Sequence, residues 1–146
     1  MQTTQKNTIL IPVDFSDIAM HALDHAINVA KHFNNNLALL YVVEEGILSG
    51  LLGKNEKQEQ LIKEAAITRM EKLSVDIKTQ HGIDCSIYVR SGKIYKLITE
   101  VVEELKCDSV IMGSHGASGL GQLIGSNSSR TIMHSKVPVI VVKSAQ

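Results

Sequence analysis

The sequence predicts one α/β domain with an open, doubly wound parallel sheet and helices on both of its faces. Short runs rich in β-branched residues alternate along the chain with segments whose apolar residues recur every three or four positions. Several of these runs are apolar on successive residues, as strands are when helices cover both faces of a parallel sheet. Strict alternation of strand and helix, joined by right-handed crossovers, favours the doubly wound arrangement. The 146 residues suffice for a single core, so we expect one domain over 1–146.

Five short apolar runs are the predicted strands, and they are rich in valine, isoleucine and leucine. They cover residues 8–13, 36–43, 83–89, 108–113 and 137–142. The last run carries Pro138 near its start, as edge strands permit. An exposed apolar edge needs cover, so we expect this strand, from Val137 to Val142, to pair with a second copy of the chain in a homodimer.

Four segments between these runs have helical periodicity, each with an apolar face. Ser16 is placed to cap the first helix, Ser91 to cap the third, and Gly82 to end the second. The fourth helix is predicted from about Asn127 to His134. The other three apolar stripes are Ala19, Ala22, Leu23, Ala26, Ile27, Ala30 and Phe33; Ile62, Ala65, Ala66, Met70, Leu73 and Ile77; and Ile94, Leu97, Ile98, Val101 and Leu105.

The segment GILSGLLG, residues 46–53, is apolar where a polar connection between strand and helix is expected. We predict that it is mobile and serves as a lid on a binding crevice or as a partner-binding patch. The alternative is that it only leads the chain into the second helix.

Composition excludes several classes of function. The fifteen basic and fifteen acidic side chains cancel, and aromatic residues make up 3% of the chain, so nucleic-acid binding is not expected. The apolar runs are much shorter than a membrane span, and the N-terminus lacks a signal-peptide pattern, so we expect a cytoplasmic protein that has no membrane partner. Cys85 and Cys107 lack the spacing of a metal site and are interpreted as reduced, buried thiols.

The stretch GSHGASGLGQLIGSNSSRTI, residues 113–132, contains five of the ten glycines. It runs from the carboxyl end of the fourth strand to the last helix, where open α/β sheets bind ligands. Glycines let backbone N–H groups approach an anion closely, and a helix start adds unpaired donors. We therefore expect phosphate binding, assisted by the hydroxyl and amide groups of residues 126–129. The alternative is that the glycines only form turns and that Ser126 or Asn127 only caps the helix.

No catalytic constellation accompanies this loop. The G-x-x-x-x-G-K-[ST] motif is absent, and G-x-G-x-x-G is incomplete. His115 has no partnered carboxylate or nucleophile nearby in sequence, so we interpret it as a ligand contact. No lysine or arginine precedes Arg130 in the loop, so any hydrolysis of a bound phosphate ester should be slow. His21, His25 and His32 lie off the apolar stripe of the first helix, which indicates a solvated face and no metal site.

The chain carries ILIPVDFS in the first strand, LALLYVV in the second, DSVIMGSHG after the third helix, and VPVIVVK at the end. In these four motifs it resembles the universal stress protein family over nearly its whole length. The resemblance implies a five-stranded parallel sheet of order 3-2-1-4-5. ATP-binding members of the family carry G-x2-G-x9-G-[ST], and Gly113, Gly116, Gly125 and Ser126 fit this motif with eight residues in place of nine.

Two alignments of this shortened loop are open. Either the loop is tightened and Gly125 and Ser126 keep their role, or Ser126 and Asn127 fall where Gly-Ser should be and phosphate affinity drops. The helical pattern directly after Gly125 and Ser126 favours the first alignment.

Carried over residue by residue, the resemblance implies an adenine-nucleotide site with ATP as its ligand, with or without Mg²⁺. Asp14 also stands at the carboxyl end of the first predicted strand, and its alternative role is a helix cap shared with Ser16. The implied site residues are Pro12, Val13 and Asp14 at the adenosine, Val42 at the base, Met112 and Gly113 on the ribose side, and His115, Gly116, Gly125, Ser126 and Asn127 at the phosphates.

Three functions fit these observations. The first is a nucleotide-binding stress-response or signalling module in which ATP shifts the conformation or the choice of partner. The second is a weak ATPase or phosphotransfer enzyme. The third is a nucleotide-free homodimeric interaction protein, as family members without the glycine motif are; the family resemblance favours a homodimer in all three cases.

Overall fold

The computed structural model describes residues 6–44, 56–115 and 124–143. Gly116 and the predicted lid at 46–53 lie outside these ranges. The described strands are β1 Thr8–Pro12, β2 Asn36–Val43, β3 Cys85–Ser91, β4 Ser109–Gly113 and β5 Val139–Val142; the helices are α1 Asp17–Phe33, α2 Glu56–His81, α3 Ile94–Leu105 and α4 Ser126–His134.

The five strands form one parallel sheet in the order β3-β2-β1-β4-β5. This confirms the predicted fold class and strand order. After β1 the chain adds β2 and β3 on one side, and it then crosses over to add β4 and β5 on the other. The strand order therefore reverses between β1 and β4, and in open α/β sheets a ligand crevice forms at the carboxyl ends of strands at such a point.

Helices cover both faces of the sheet because successive strand residues point to opposite faces. On one face Ile9 and Ile11 of β1 pack in a cluster with apolar residues of α1 and α2. On the other face Leu10 packs in a cluster with Ile98 and Val101 of α3. The central strands are therefore buried on both sides, as their continuous apolar sequences predict.

Local signals in the sequence set the ends of the first two helices. The Oγ of Ser16, the N-cap of α1, accepts a 3.3 Å hydrogen bond from the amide of Ala19. Gly82 has a φ of +70° directly after α2, and its amide donates to the carbonyl of Lys78, as at many helix ends. Both predictions of these caps are confirmed.

Other local predictions are wrong in detail. The N-cap of α3 is Lys93, not Ser91, because the Ser91 hydroxyl donates instead to Glu59 of α2 over 2.7 Å. Phe33 is 69% exposed although it continues the apolar stripe, since α1 ends there and the chain turns away at Asn34.

Strand boundaries also differ from the prediction, by one residue in β1 and β4 and by two residues in β3 and β5. β3 spans Cys85–Ser91 and not 83–89, because its pairing with β2 continues as far as Ser91. β5 begins at Val139 and not Val137, directly after Pro138, which has no amide to donate to a neighbouring strand. Within the described ranges, no helix is long and apolar enough to cross a membrane.

Both cysteines are free thiols. Cys107 is buried and Cys85 is half-buried, and desolvation raises the pKa of each thiol to about 11. Such thiols are protonated at neutral pH and therefore poor nucleophiles, in agreement with the structural role that the sequence indicates.

Candidate functional site

A cleft opens at the carboxyl ends of β1, β2 and β4, beside the start of α4. All four elements contribute residues to its lining, and α1 and α3 contribute one residue each. The lining residues are Pro12, Val13, Asp14, Ala19, Leu40, Val42, Ile94, Met112, Gly113, His115, Asn127 and Ser128. The cleft thus lies at the strand-order reversal, where a doubly wound sheet binds its ligands.

The cleft is small and has largely apolar walls. The residues that line it enclose about 80 Å³, whereas sites that hold a whole small molecule enclose about 300 Å³ or more. Leu40, Ile94 and Met112 are among its walls, and they suit a flat aromatic ring better than a charged group.

Asp14 is held by the turn that starts α1. Its Oδ1 accepts hydrogen bonds from the amide of Ser16 over 3.0 Å and from the hydroxyl of Ser16 over 2.5 Å. Phe15, between them, has a φ of +61°, which is uncommon for a bulky residue. The Phe15 ring is contacted by the guanidinium of Arg69, 3.8 Å from its centroid, and by Tyr41. Asp14 therefore supports the helix start through Ser16 and also lines the cleft.

The first turn of α4 presents backbone amides. Gly125 is its N-cap, and no side chain caps it. Ser126, Asn127 and Ser128 follow as the first three helical residues, whose amides have no acceptor within a helix. Among the residues with described positions, these three amides donate no hydrogen bond. Unpaired amides and the positive end of the helix dipole together favour an anion at this point.

Two glycines allow close packing beneath these amides. The amide of Gly125 donates a 2.6 Å hydrogen bond to the carbonyl of Ser114. A Cβ on Gly125 would lie 3.3 Å from both Cα and Cβ of His115, and a Cβ on Gly113 would lie 3.0 Å from Cγ1 of Ile18. Such distances are shorter than ordinary van der Waals contacts, so side chains at these positions would displace their neighbours.

One buried hydroxyl ties α4 to β4, and a second forms a hydrogen bond within the helix. The Ser128 hydroxyl donates to the carbonyl of Gly113 over 2.9 Å, and the Thr131 hydroxyl donates to the carbonyl of Asn127 over 2.7 Å. Both side chains are at most 2% exposed. The Ser128 hydroxyl therefore stabilises the packing of α4 on β4. The backbone amide of Ser128 is the group that is available to a ligand.

Glu44 places a second carboxylate near the cleft, in addition to that of Asp14. Glu44 follows β2, and its Oε1 lies 3.5 Å from Nδ2 of Asn127. No lysine or arginine is found among the lining residues described above, and residues 116–123, GASGLGQL, contain none. The guanidinium of Arg130 lies 5.5 Å from the centroid of the Tyr95 ring. Phosphates in this place would thus depend on backbone amides and not on basic side chains.

The chain offers few ligands for a metal ion. No group of three or more His, Cys, Asp or Glu residues that could hold one is present in the described part of the chain. Mg²⁺ prefers oxygen ligands and usually takes several from phosphates and water. The residues at the cleft fit Mg²⁺ only in that way: side-chain oxygens of Ser126 and Asn127 stand at the start of α4, and a nucleotide and water would supply the other ligands.

The structure brings most of the predicted site residues together. Gly125 and Ser126 lie at the start of α4, next to the cleft, but do not line it. Gly116 lies outside the described residues. The eight predicted residues that line the cleft are Pro12, Val13, Asp14, Val42, Met112, Gly113, His115 and Asn127.

Sequence reasoning missed three lining residues, Ala19, Leu40 and Ile94, whereas Ser128 was expected only as one of the polar residues 126–129 near phosphate. A signal existed for two of them. Leu40 is two residues before Val42 and hence on the same face of β2, and Ile94 opens the apolar stripe of α3. Ala19 could be found only once the position of α1 against the sheet was known.

Comparison with known proteins gives the family. The sequence profile described as "Universal stress protein family" matches residues 6–143. The chain belongs to the universal stress protein family. Universal stress protein MJ0531 of Methanocaldococcus jannaschii is 34% identical to it over 138 residues, which cover 92% of this chain and 81% of that protein.

Solved universal stress proteins share this fold. The universal stress protein UspA from Lactobacillus plantarum matches with a TM-score of 0.77 and 27% identity, over 96% of this chain and 99% of that chain. The universal stress protein from Archaeoglobus fulgidus, solved in complex with dAMP, matches with a TM-score of 0.69 and 17% identity, over 97% and 100% of the two chains.

Proposed function

We propose that this universal stress protein binds an adenine nucleotide, with ATP as the expected ligand, in the cleft beside α4. It would act as a stress-response or signalling module whose bound nucleotide changes its conformation or its partners. The observation that carries the proposal is the union of an apolar cleft with three backbone amides, those of Ser126, Asn127 and Ser128, that lack acceptors among the described residues. A related fold solved with dAMP is consistent with it.

The two parts of the site suit the two parts of a nucleotide. The enclosed 80 Å³ is too small for a whole nucleotide, so we expect it to take the base, between Val42 and Met112. Asp14 would then accept hydrogen bonds from the base or the ribose. The phosphates would lie outside the enclosed volume, over the first turn of α4, with or without Mg²⁺.

We do not expect fast chemistry at this site. Phosphoryl transfer depends on cationic clamps and on a positioned nucleophile. No lysine or arginine lines the described cleft, and His115 is the one lining residue whose side chain can carry a positive charge. Hydrolysis of ATP, if it occurs, should therefore be slow compared with exchange of the nucleotide.

A homodimer through β5 is the second part of the proposal. β5 is the last strand of the sheet, so its outer edge has no described strand beside it. Ile140 on this strand is 40% exposed, and Met133 of the neighbouring α4 is 80% exposed. A second copy of the chain would cover both the strand edge and these side chains. A cytoplasmic location stays an expectation from the sequence.

Isothermal titration calorimetry tests the nucleotide proposal. We expect Mg·ATP to bind the unmodified protein and to bind Asp14→Asn about tenfold more weakly, because a charge-assisted hydrogen bond to the nucleotide becomes a neutral one. Asparagine keeps an oxygen that can accept from Ser16, so the helix start should survive. Asp17→Asn, an exposed residue in the first turn of α1, is the matched control and should bind normally.

The outcome that contradicts the proposal is equally specific. If the unmodified, folded protein takes up no adenine nucleotide at millimolar concentration, with or without Mg²⁺, the nucleotide-free interaction protein becomes the better account. If it binds but Asp14→Asn binds equally well, Asp14 has no contact with the ligand.

A further inference from the structure

We infer that Glu44 is a specificity-determining residue that makes tight binding of nucleoside polyphosphates conditional on a divalent cation. This inference rests on the proposed nucleotide site. It assigns a role to a residue outside the glycine loop, at the end of β2. The carboxylate would lower the affinity for metal-free ATP more than the affinity for AMP, and a cation bound to the phosphates would relieve the penalty.

The position of Glu44 carries the first step. It follows Val43, the last residue of β2, at the same edge of the sheet as the cleft. Its Oε1 is 3.5 Å from Nδ2 of Asn127, the long limit of a hydrogen bond. Asn127 lines the cleft and is the second residue of α4, with an amide that donates to no described acceptor. The carboxylate is therefore next to the amides proposed for the phosphates.

The absence of a balancing cation carries the second step. None of the ion pairs between described residues includes Glu44. By contrast, Glu103 pairs with Lys136 at 2.9 Å and Glu104 pairs with Arg90 at 2.7 Å. No lysine or arginine is present in the lining as far as it is described, nor in the sequence of residues 116–123. Among the described residues, no ion pair therefore offsets the negative charge of Glu44 towards an anion at α4.

Coulomb's law gives the sign and size of the effect. An anion on the Asn127 amide would lie within about one Debye length of the Glu44 carboxylate, roughly 8 Å at physiological ionic strength, so salt would screen the repulsion only in part. At the effective dielectric of a protein surface, one such negative charge lowers the affinity for an anion about threefold to tenfold. The penalty grows with ligand charge, so it is larger for ATP than for AMP. Mg²⁺ on the phosphates cancels most of it.

Calorimetry of Glu44→Gln tests this inference with three ligands: AMP, ATP in the presence of EDTA, and ATP with excess Mg²⁺. The affinity for metal-free ATP should rise about threefold to tenfold, whereas the affinity for Mg·ATP should change by less than about twofold. AMP should gain less than metal-free ATP. Glu44→Lys should move the metal-free affinity further in the same direction, because it adds a positive charge where glutamine is neutral.

Glu103→Gln is the matched control. It removes the same charge from an exposed residue of α3 whose partner, Lys136, precedes β5 at the opposite end of the sheet. Its affinities for all three ligands should equal those of the unmodified protein. Because Glu44 is exposed, neither substitution at this position should unfold the protein, and thermal denaturation checks this.

The outcomes separate this inference from the proposal beneath it. If the unmodified protein binds none of the three ligands, the proposed nucleotide site fails, and this inference fails with it. If the unmodified protein binds but Glu44→Gln leaves the affinity for metal-free ATP unchanged or lowers it, the role of Glu44 is overturned and the nucleotide site stands. An equal gain for Glu103→Gln would likewise overturn it, because the effect would then be one of net charge.

Discussion

The amide of Gly125 donates a 2.6 Å hydrogen bond to the carbonyl oxygen of Ser114. This bond joins the start of α4 to the residue after β4 and closes the glycine-rich loop at its base. It also occupies the Gly125 amide, so the unpaired donors at the start of α4 are the next three, from Ser126 to Ser128. Gly125 therefore fixes the geometry at the base of the loop, and the three residues after it have the amides that are available to a ligand.

Substitution of Gly125 tests this division of roles. The added Cβ of Gly125→Ala would meet Cα and Cβ of His115 at 3.3 Å, so we expect the loop base to open and Mg·ATP affinity to fall at least about tenfold. Overpacking of this kind costs about 1–3 kcal/mol of stability. Calorimetry and thermal denaturation measure the two effects.

Gly82→Ala is the control for the loss of stability. Its backbone has a φ of +70°, which alanine adopts at a cost of about 1 kcal/mol, and nothing lies within 4 Å of the added Cβ. It should lower stability and leave nucleotide affinity unchanged. Equal losses of affinity in both variants would mean that stability, and not loop geometry, governs binding.

The ion pair between Arg90 and Glu104 predicts a pH dependence. The guanidinium donates to both carboxylate oxygens, at 2.9 and 2.7 Å, and these bonds lower the pKa of Glu104 below its ordinary 4.5. A carboxyl group whose pKa is lowered on folding adds stability above the unfolded value and loses it as the pH falls through the folded value. The pair should thus stabilise at neutral pH and cease to do so in acid.

The measurement is an NMR titration of the Glu104 side chain together with unfolding at several pH values. Arg90→Gln should return the pKa of Glu104 towards 4.5. Glu104→Gln should be less stable than the unmodified protein at neutral pH and equally stable once Glu104 is protonated. A stability difference that is independent of pH would show that the ion pair is not its cause.

The proposed homodimer predicts the effect of a charge on β5. Ile140→Asp places a carboxylate on the exposed edge strand, where it would have to be buried against a second copy. We expect analytical ultracentrifugation to find dimers of the unmodified protein and monomers of the variant. Phe33→Asp, which changes a residue that is 69% exposed on α1, should stay dimeric. A monomeric unmodified protein at micromolar concentration contradicts the homodimer.

Much of the fold could be read from local sequence. The buried strands β1 and β2 are continuous apolar runs, and alternation with helical stripes is enough to predict the sheet class. The ends of strands and helices that are set by contacts with residues distant in sequence could not be predicted in this way. β3 extends to Ser91 because Ser91 pairs with Val43 of β2, and its hydroxyl is taken by Glu59 of α2, so it does not cap α3.

The site was predictable where one short motif supplies several residues. Pro12, Val13 and Asp14 are consecutive, and all line the cleft. The contact between Glu44 and Asn127 joins residues 83 positions apart, and only the fold, which brings the start of α4 near the carboxyl end of β2, creates it. No local pattern marks such a pair, which is why the sequence gives no sign that a carboxylate stands beside the amides of α4.

The central claim is that the amides at the start of α4 bind the phosphates of an adenine nucleotide. The most direct measurement is a ¹H–¹⁵N correlation spectrum recorded during titration with Mg·ATP. We expect the amide signals of Ser126, Asn127 and Ser128 to be among those that shift most, while those of Asp84 and Ser86, at the opposite end of the sheet, stay in place. Saturable binding that leaves these three amides unmoved, or a spectrum unchanged by millimolar Mg·ATP, would contradict the claim.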